Sequence, residues 1–211
     1  MDNLDYGIIG NCRTAALVSK TGSIDWFCLP DFDSPSVFAK LLDKEKGGSF
    51  HFEVSEEYNI TQKYNGNTNI LMTRFESPED GFIVFDYMPR YATTEHQHFM
   101  PPEIHRYLRV FKGKPKLRVV YDPQINYARE DVRHEIVGSY IKTHSVEDSE
   151  DKVYLYTSMD LEKVLNRDEI EITDHQFFLL SYNQKLVSVD INRILLEFER
   201  TKVYWLNFVN R

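Results

Sequence analysis

The sequence is poor in cysteine and short of positive charge. Its 211 residues include two cysteines, Cys12 and Cys28, and none of the short Cys or His spacings that mark zinc sites. Two cysteines are too few for a disulfide scaffold, so we expect both to be reduced thiols. Lysine and arginine number 25 against 33 acidic residues, which gives a formal net charge of −8. Because phosphate groups bind to cationic surfaces, this charge argues against nucleic acids and anionic membranes as partners.

Long apolar runs are also missing. No segment is apolar for long enough to span a bilayer, and the amino terminus MDNLDYGIIG lacks the basic start and apolar stretch of a signal peptide. These features indicate a cytoplasmic protein. Aromatic residues, in contrast, are plentiful at 14% of the chain. They favour β-sheet packing, and they also suit stacking on the rings of sugars.

Short apolar or alternating runs separated by turn residues fill most of the chain. The run SFHFEV at 49–54 alternates between apolar and polar residues, as a half-buried strand does. Clusters of glycine, proline and polar residues predict hairpins around residues 20–22, 77–81 and 112–115. Ten or more short strands at regular spacing are typical of an antiparallel sandwich or barrel, so the sequence predicts an all-β fold.

The last part of the chain has a helical pattern. Asp190 can cap a helix over residues 190–211, in which apolar residues recur at helical spacing. That stripe consists of Ile191, Ile194, Leu195, Phe198, Trp205 and Val209. Leu196, Tyr204 and Phe208 lie off the stripe, so the helix has apolar groups on more than one side. Such a helix needs two partners, and the second is not in the sequence.

A second helix and a candidate binding site coincide near the start of the chain. Ser34 followed by proline predicts a short helix near residues 35–43 with Ser34 as its N-cap. The candidate residues before this helix are Asp31, Phe32, Asp33 and Ser34. One interpretation is structural, with the polar residues capping the helix and Trp26 packed in the core. The other is the rim of a binding site, and both roles can coexist.

Other catalytic patterns are weak. Glu95, His96, His98 and His105 are the best metal-ligand candidates, but they match no fixed ligand spacing. A solvated loop is the favoured interpretation, and we expect neither a metal nor a cofactor. There is no G-x-S-x-G motif, and neither cysteine has a histidine near it in sequence. No pair of carboxylates stands out for glycosidic cleavage. We therefore predict no catalytic residue.

Longer segments resemble a known family. YGIIGNCRTAALVSKTGSIDWFCLPDFDSPSVFAKLLDKEKGGSFHF resembles the start of prokaryotic members of the glucoamylase/trehalase family, glycoside hydrolase family fifteen. The similarity continues with YNGNTNILMTRF, GFIVFDYMP and IHRYLRVFKGKPKLRVVYDPQINYA. The terminal TKVYWLNFV resembles the Thr-x-x-Tyr-Trp linker helix of that family. The resemblance implies a large antiparallel β-sandwich (a supersandwich) over residues 1–189. It also implies a linker helix over 190–211, followed by a helical catalytic barrel that is absent from this chain.

The resemblance also implies a role. In this family the general acid and base of an inverting reaction lie on the barrel, so this chain resembles a non-catalytic accessory domain. The partners would be that barrel, in the same polypeptide, and its α-glucoside substrate, as in a glucoamylase, glucodextranase or trehalase. We expect the substrate cleft or interdomain contact at Asp31, Phe32, Asp33 and Ser34, and the linker contact at Tyr204, Trp205 and Phe208. A free-standing carbohydrate-binding module is the alternative.

Overall fold

The computed structural model describes residues 5–94, 97–147 and 150–210. Seventeen strands and three helical segments contain most of these residues. In chain order they are β1 (Tyr6–Gly10), β2 (Ala15–Ser19), β3 (Ile24–Cys28), β4 (Ser36–Phe38), β5 (Phe50–Glu53), β6 (Asn59–Tyr64), β7 (Leu71–Glu76), β8 (Gly81–Tyr87), β9 (Tyr91–Thr94), β10 (Gln97–Phe99), β11 (Glu103–Lys112), β12 (Lys116–Tyr121), α1 (Ile125–Ala128), β13 (Val132–Val137), β14 (Tyr140–Ser145), β15 (Lys152–Thr157), α2 (Leu161–Asn166), β16 (Ile170–Glu171), β17 (His175–Tyr182) and α3 (Ile191–Val209).

Two large antiparallel sheets form the body of the domain. The seven-stranded sheet runs β1-β2-β3-β5-β12-β16, with β4 paired to the side of β3. The eight-stranded sheet runs β13-β14-β15-β17-β11-β8-β7-β6, and β9 and β10 form a separate hairpin. The main hydrophobic cluster contains side chains from both large sheets. The prediction of a large antiparallel β-sandwich is therefore confirmed.

The middle strands of the eight-stranded sheet are buried on both faces. Along β8, Phe82 and Val84 belong to the main cluster, whereas Ile83, Phe85 and Tyr87 belong to a second cluster. Successive side chains of a strand point to opposite faces, so the second cluster lies on the outer face of this sheet. A face made of such residues must be covered, because exposing it to water would cost roughly 25 cal/mol per Å².

Helix α3 provides that cover. Asp190 is its N-cap, as predicted, and its carboxylate accepts a hydrogen bond of 2.9 Å from the backbone N–H of Arg193. Phe198 packs edge-on against Phe85 and Tyr87, with ring centroids 5.3 and 5.6 Å apart. Ile194 is fully buried in the same cluster. No described helix combines the length and apolarity that a membrane span needs.

One predicted hairpin is wrong. The turns at 20–22 and 77–81 do join paired strands. The turn at 112–115 instead carries the chain from β11, in the eight-stranded sheet, to β12, in the seven-stranded sheet. Strand β11 is already paired with β8 on one edge and with β17 on the other, so it has no free edge for β12.

The predicted short helix near residues 35–43 is also wrong. Ser36–Phe38 form β4, which pairs with β3 through Phe27 and Phe38, and the residues after it form turns. All three side chains of β4 are buried, a pattern that an exposed helix cannot provide. Trp26 is half-buried. A helix that the sequence did not predict, α2, begins after Asp160, whose carboxylate caps it.

Candidate functional site

The predicted loop at 31–34 is a tight turn that is tied to its surroundings. The hydroxyl of Ser34 accepts a hydrogen bond of 3.1 Å from the backbone N–H of Asp31, so Ser34 closes a turn and does not cap a helix. The guanidinium of Arg13 donates to the Asp31 carboxylate at 2.7 Å. Phe32 is 62% exposed, and Asp33 is also exposed. The loop thus presents an aromatic ring and a carboxylate to solvent from a fixed backbone.

A strained turn lies beside this loop. Asn126, Tyr127 and Ala128 all have left-handed φ angles, of 55°, 59° and 56°, so the short segment α1 is a left-handed turn. Such a conformation costs a non-glycine residue about 1–2 kcal/mol. The turn is fixed by buried Ile125, and the Tyr127 hydroxyl donates to the carbonyl oxygen of Ser34 at 3.3 Å. Strain of this kind clusters at binding and active sites.

A chain of contacts connects this loop to α3. Asn11 accepts a 3.1 Å hydrogen bond from the backbone N–H of Arg13 through its side-chain oxygen. The carbonyl oxygen of Asn11 accepts a 2.6 Å bond from the guanidinium of Arg90. The backbone N–H of Arg90 donates to the hydroxyl of Thr201, and its guanidinium lies 4.9 Å from the ring centre of Tyr204. The two sets of residues predicted from the sequence therefore belong to one connected region.

The three predicted linker residues lie on the second half of α3. Phe208 is 59% exposed, whereas Tyr204 and Trp205 are half-buried. The Tyr204 ring packs edge-on against His98 of β10 at 5.6 Å. The indole N–H of Trp205 is buried and has no hydrogen-bond acceptor among the described residues. Buried N–H donors are nearly always hydrogen-bonded in folded proteins.

The buried side of α3 differs from the predicted stripe. Ile194 and Phe198 are buried as expected, but Val209 is 55% exposed. Two polar residues are buried on the same side of the helix: Glu197, which lies between Ile194 and Phe198 in sequence, and Thr201, which follows Phe198. The helix therefore buries two polar groups beside its apolar ones against the sheet, and it leaves Leu196, Val203, Phe208 and Val209 exposed.

An open groove of about 840 Å³ runs between α3 and the β9–β10 hairpin. Leu196 and Val203, which are 51% and 53% exposed, form part of its helical wall. Its other lining side chains include Tyr91, His98, Tyr204 and Phe208. The groove is thus mainly aromatic and aliphatic, and it adjoins the connected region described above.

The predicted metal-ligand candidates do not form one site. Glu95 and His96 lie outside the described residues. His98 lines the groove, whereas His105 is fully buried under α3. The Nε2 atom of His105 lies 3.1 Å from Glu103 and 3.5 Å from Glu197, and both carboxylates are buried.

Two further groups complete this buried cluster. Arg193 contacts Glu103 at 3.2 Å and Glu197 at 3.0 Å. The Nδ1 atom of His105 lies 3.0 Å from the hydroxyl of Tyr87. Burial alone lowers the pKa of Arg193, but the charges of Glu103 and Glu197 outweigh it and raise that pKa. The cluster joins β8, β11 and α3.

Comparison with known proteins identifies the family. The sequence pattern of the family described as "Trehalase-like, N-terminal" matches residues 5–163. The chain belongs to this family. The match includes the 31–34 loop and the left-handed turn of the trehalase-like domain, and it ends before α3.

The relatives are much longer proteins. A trehalase of Thermoplasma volcanium is 38% identical over 130 residues, which is 59% of this chain and 20% of the relative. A trehalase of Thermoplasma acidophilum is 37% identical over 119 residues, 54% of this chain and 20% of the relative. A trehalase of Mycolicibacterium smegmatis is 36% identical over 86 residues, 39% of this chain and 12% of the relative. The matched part of the trehalase-like domain thus spans a fifth or less of each.

Sequence reasoning missed several residues of this region. Nothing in the segment INYA signals a left-handed turn, because it contains no glycine. No sequence pattern marks Arg90 as part of this region either, because its hydrogen-bond partners, Asn11 and Thr201, are 79 and 111 positions away in the chain. In the buried cluster, His105 was named as a possible metal ligand, and the spacing of Arg193 and Glu197, four residues apart on a helix, was a further signal.

Proposed function

We propose that the chain is the non-catalytic N-terminal accessory domain of an inverting α-glucosidic hydrolase and acts in the cytoplasm. The domain would comprise residues 1–189, and residues 190–211 would link it to a helical catalytic barrel in the same polypeptide. The observation that carries the proposal is the uncovered apolar side of α3 beside the groove. The free thiols of both cysteines are consistent with the cytoplasmic location.

The exposed side of α3 fits an interdomain contact. Leu196, Val203, Phe208 and Val209 are each between 51% and 59% exposed on a single helix. Leu196, Val203 and Phe208 line the same groove, and exposed apolar surface that lines a groove is typical of interaction sites in soluble proteins. The barrel would cover these side chains and the groove, and it would supply an acceptor for the indole N–H of Trp205.

The loop region supports a second part of the proposal. Phe32 and Tyr127 are exposed, and the loops that hold them are connected to α3 through Arg13 and Arg90. A barrel docked on α3 would therefore have these rings at or near its edge. We propose that they shape the substrate cleft. Among α-glucosides, trehalose is the substrate that the names of the relatives favour.

The test uses the native polypeptide and its variants. Mass spectrometry of the protein from its source cells should find peptides beyond residue 211, and the intact polypeptide should hydrolyse trehalose. In that polypeptide, Phe208→Glu and Val203→Glu should lower the activity and the melting temperature together, because each buries a charge at the contact. Leu42→Glu is the matched control. Leu42 is 71% exposed, and it does not line the groove beside α3. A native polypeptide that ends at residue 211 would contradict the same-chain barrel.

The exposed rings also favour a second candidate, a free-standing carbohydrate-binding module. Phe32 and Tyr127 could stack on a sugar without any barrel. This candidate requires saturable binding of trehalose or maltooligosaccharides to the isolated chain, with loss of binding in Phe32→Ala. The accessory-domain proposal expects no such binding at millimolar sugar.

A further inference from the structure

One group of buried side chains under α3 has no part in the proposed function. Glu103 and His105 lie two residues apart on β11, so their side chains point to the same face of the sheet. Glu197 of α3 reaches the same place from the helix, and its carboxylate lies against His105. The side chains of Glu103, His105 and Glu197 are 2%, 0% and 8% exposed. Two buried carboxylates are costly unless positive charge compensates them.

The hydrogen bonds around His105 determine which of its ring nitrogens is free. The hydroxyl of Tyr87 donates its one hydrogen to the carbonyl oxygen of Ile194 at 2.8 Å. Nδ1 of His105 lies 3.0 Å from the same hydroxyl oxygen, so the hydrogen of this contact must be on Nδ1. In a neutral imidazole, the other nitrogen, Nε2, then offers a lone pair. Histidines that ligate metals have this arrangement, because their far N–H is held by an acceptor that fixes the ring.

The lone pair of Nε2 meets carboxylate oxygens, which are acceptors too. Nε2 lies 3.1 Å from Oε2 of Glu103 and 3.5 Å from Oε2 of Glu197. Oε2 of Glu197 is buried, and it has no hydrogen-bond partner within the part of the chain that the structure describes. Three atoms that offer lone pairs therefore converge on one place, which is unfavourable unless a cation binds between them.

We propose that Glu103, His105 and Glu197 bind one divalent transition-metal ion, such as Zn²⁺, which fastens α3 to the sandwich. Their ligand atoms all lie within 4.8 Å of one another. Zinc bonds to nitrogen and to carboxylate oxygen are about 2.0–2.2 Å long, so two ligand atoms of a tetrahedral site are about 3.4 Å apart. The separations of 3.1 and 3.5 Å match this value. The sequence analysis expected no metal because it considered His105 without Glu103 and Glu197.

The charges also fit a divalent ion. Two ionised carboxylates and a neutral imidazole together carry two negative charges, which one divalent ion cancels. Arg193 lies on the outer side of both carboxylates, where its side chain is 23% exposed and thus partly hydrated. It donates to Oε1 of Glu197 at 3.0 Å, and to the two oxygens of Glu103 at 3.4 and 3.2 Å. It thereby orients both carboxylates, as the outer partners of metal ligands do, and leaves Oε2 of Glu197 free.

The test measures Zn²⁺ binding to the 211-residue chain, which is first treated with a chelator and then dialysed. Isothermal titration calorimetry and metal analysis should find one ion per chain. Free Zn²⁺ at about 100 times its Kd should raise the folding constant, measured by urea denaturation, about 100-fold. Glu197→Gln replaces one charged ligand by a neutral amide of similar shape. It should weaken Zn²⁺ binding at least about tenfold, because carboxylate is the better ligand.

A measurement on the wild type makes the test independent of whether the variant folds. Nitrogen-15 NMR of the histidine rings should show that Zn²⁺ shifts the Nε2 signal of His105, while Nδ1 keeps the hydrogen that it donates to Tyr87. These two signals together report direct coordination by His105, which a general stabilisation of the fold would not produce.

Glu199→Gln is the matched control, because Glu199 is an exposed glutamate on the same helix that pairs with Lys202 at the surface. It should bind Zn²⁺ as the wild type does. The proposal is overturned if the wild type binds no Zn²⁺, or if Nε2 of His105 is unchanged by Zn²⁺. It is also overturned if Glu197→Gln folds and binds the ion as tightly as the wild type. Either of the last two outcomes would place the ion elsewhere, for instance on the exposed thiol of Cys12.

Discussion

Replacing Asp86 by alanine should be among the most damaging single changes in this domain. Asp86 lies on β8 and Arg106 on the neighbouring strand β11, and both are fully buried. The guanidinium of Arg106 donates to Asp86 at 2.8 and 3.3 Å. It also donates to the carbonyl oxygens of Gly22 and of Phe50, the latter at 2.6 Å, so it bridges the two sheets. Its charge lies 4.5 Å from the ring centre of Phe52.

The expected loss of stability follows from the buried charge that the substitution leaves unpaired. Asp86→Ala keeps the guanidinium in the core but removes its counter-charge, and breaking a buried ion pair in this way costs about 3–5 kcal/mol. That is a large fraction of the roughly 5–15 kcal/mol by which domains are stable. Asp86→Leu combined with Arg106→Met removes both charges, so it leaves no unpaired charge in the core. It still leaves the Gly22 and Phe50 carbonyl oxygens without this donor, at about 1–3 kcal/mol each if they stay dry.

Urea denaturation followed by far-ultraviolet circular dichroism provides the measurement. The midpoint should fall in Asp86→Ala with an unchanged m-value, since the surface exposed on unfolding is the same. Glu76→Ala is the control, because Glu76 pairs with Arg74 in the same sheet but at the surface. Its midpoint should hardly move. A loss below about 1 kcal/mol in Asp86→Ala would refute the reasoning, because a buried guanidinium cannot lose its counter-charge so cheaply.

Two further predictions concern pH and strain. Burial, followed by the charges of Lys40 and Arg106, lowers the pKa of His51 to about 4. Between a pH of about 6.5 and about 4, His51 binds a proton in the unfolded chain but stays neutral in the folded one. The free energy of unfolding should therefore decrease as the pH falls through this range. His51→Gln should flatten that part of the urea midpoint curve. Ala128 has a φ of 56°, and Ala128→Gly should raise the unfolding free energy by about 0.5–1 kcal/mol, measured by urea titration.

Local patterns predicted the elements that rest on local causes. The hairpins at 20–22 and 77–81 have turn residues between alternating runs, and such turns need no information from elsewhere. Helix α3 begins where Asp190 can cap it, and that bond spans three residues. In each case the stabilising contact lies within a few positions, so the sequence displays it.

The two wrong predictions, the hairpin at 112–115 and the helix at 35–43, both depend on strand pairing between distant parts of the chain. Whether β12 joins β11 depends on β8 and β17, which already occupy both edges of β11. Likewise, the segment 35–43 has a plausible helix start, but the unpaired side of β3 recruits Ser36–Phe38 as a strand. Local propensity is a weak preference that such tertiary contacts override.

The site residues show the same division. Phe32 and Phe208 were predicted, and both are exposed large apolar side chains. The contacts that connect their regions run through Arg90 and Asn11, which no sequence pattern singles out. The sequence analysis named His105 as a possible metal ligand, but it could not predict the contacts of Glu103 and His105 with α3, because their partners lie about 90 positions away in the chain.

The buried side of α3 carries polar Glu197 and Thr201 as well as apolar Ile194 and Phe198, and this has a physical consequence. A helix held by an apolar stripe alone can slide or rotate, since hydrophobic contact is not directional. Here Glu197 and Thr201 on the inner side make hydrogen bonds and ion contacts that are satisfied in one position only. Phe208 and Val203 are thereby kept outside, at fixed orientations, although water contact is unfavourable for them. A helix that fixes its own rotation with polar anchors and displays its apolar side is suited to orient a second body, which is the role proposed for this domain.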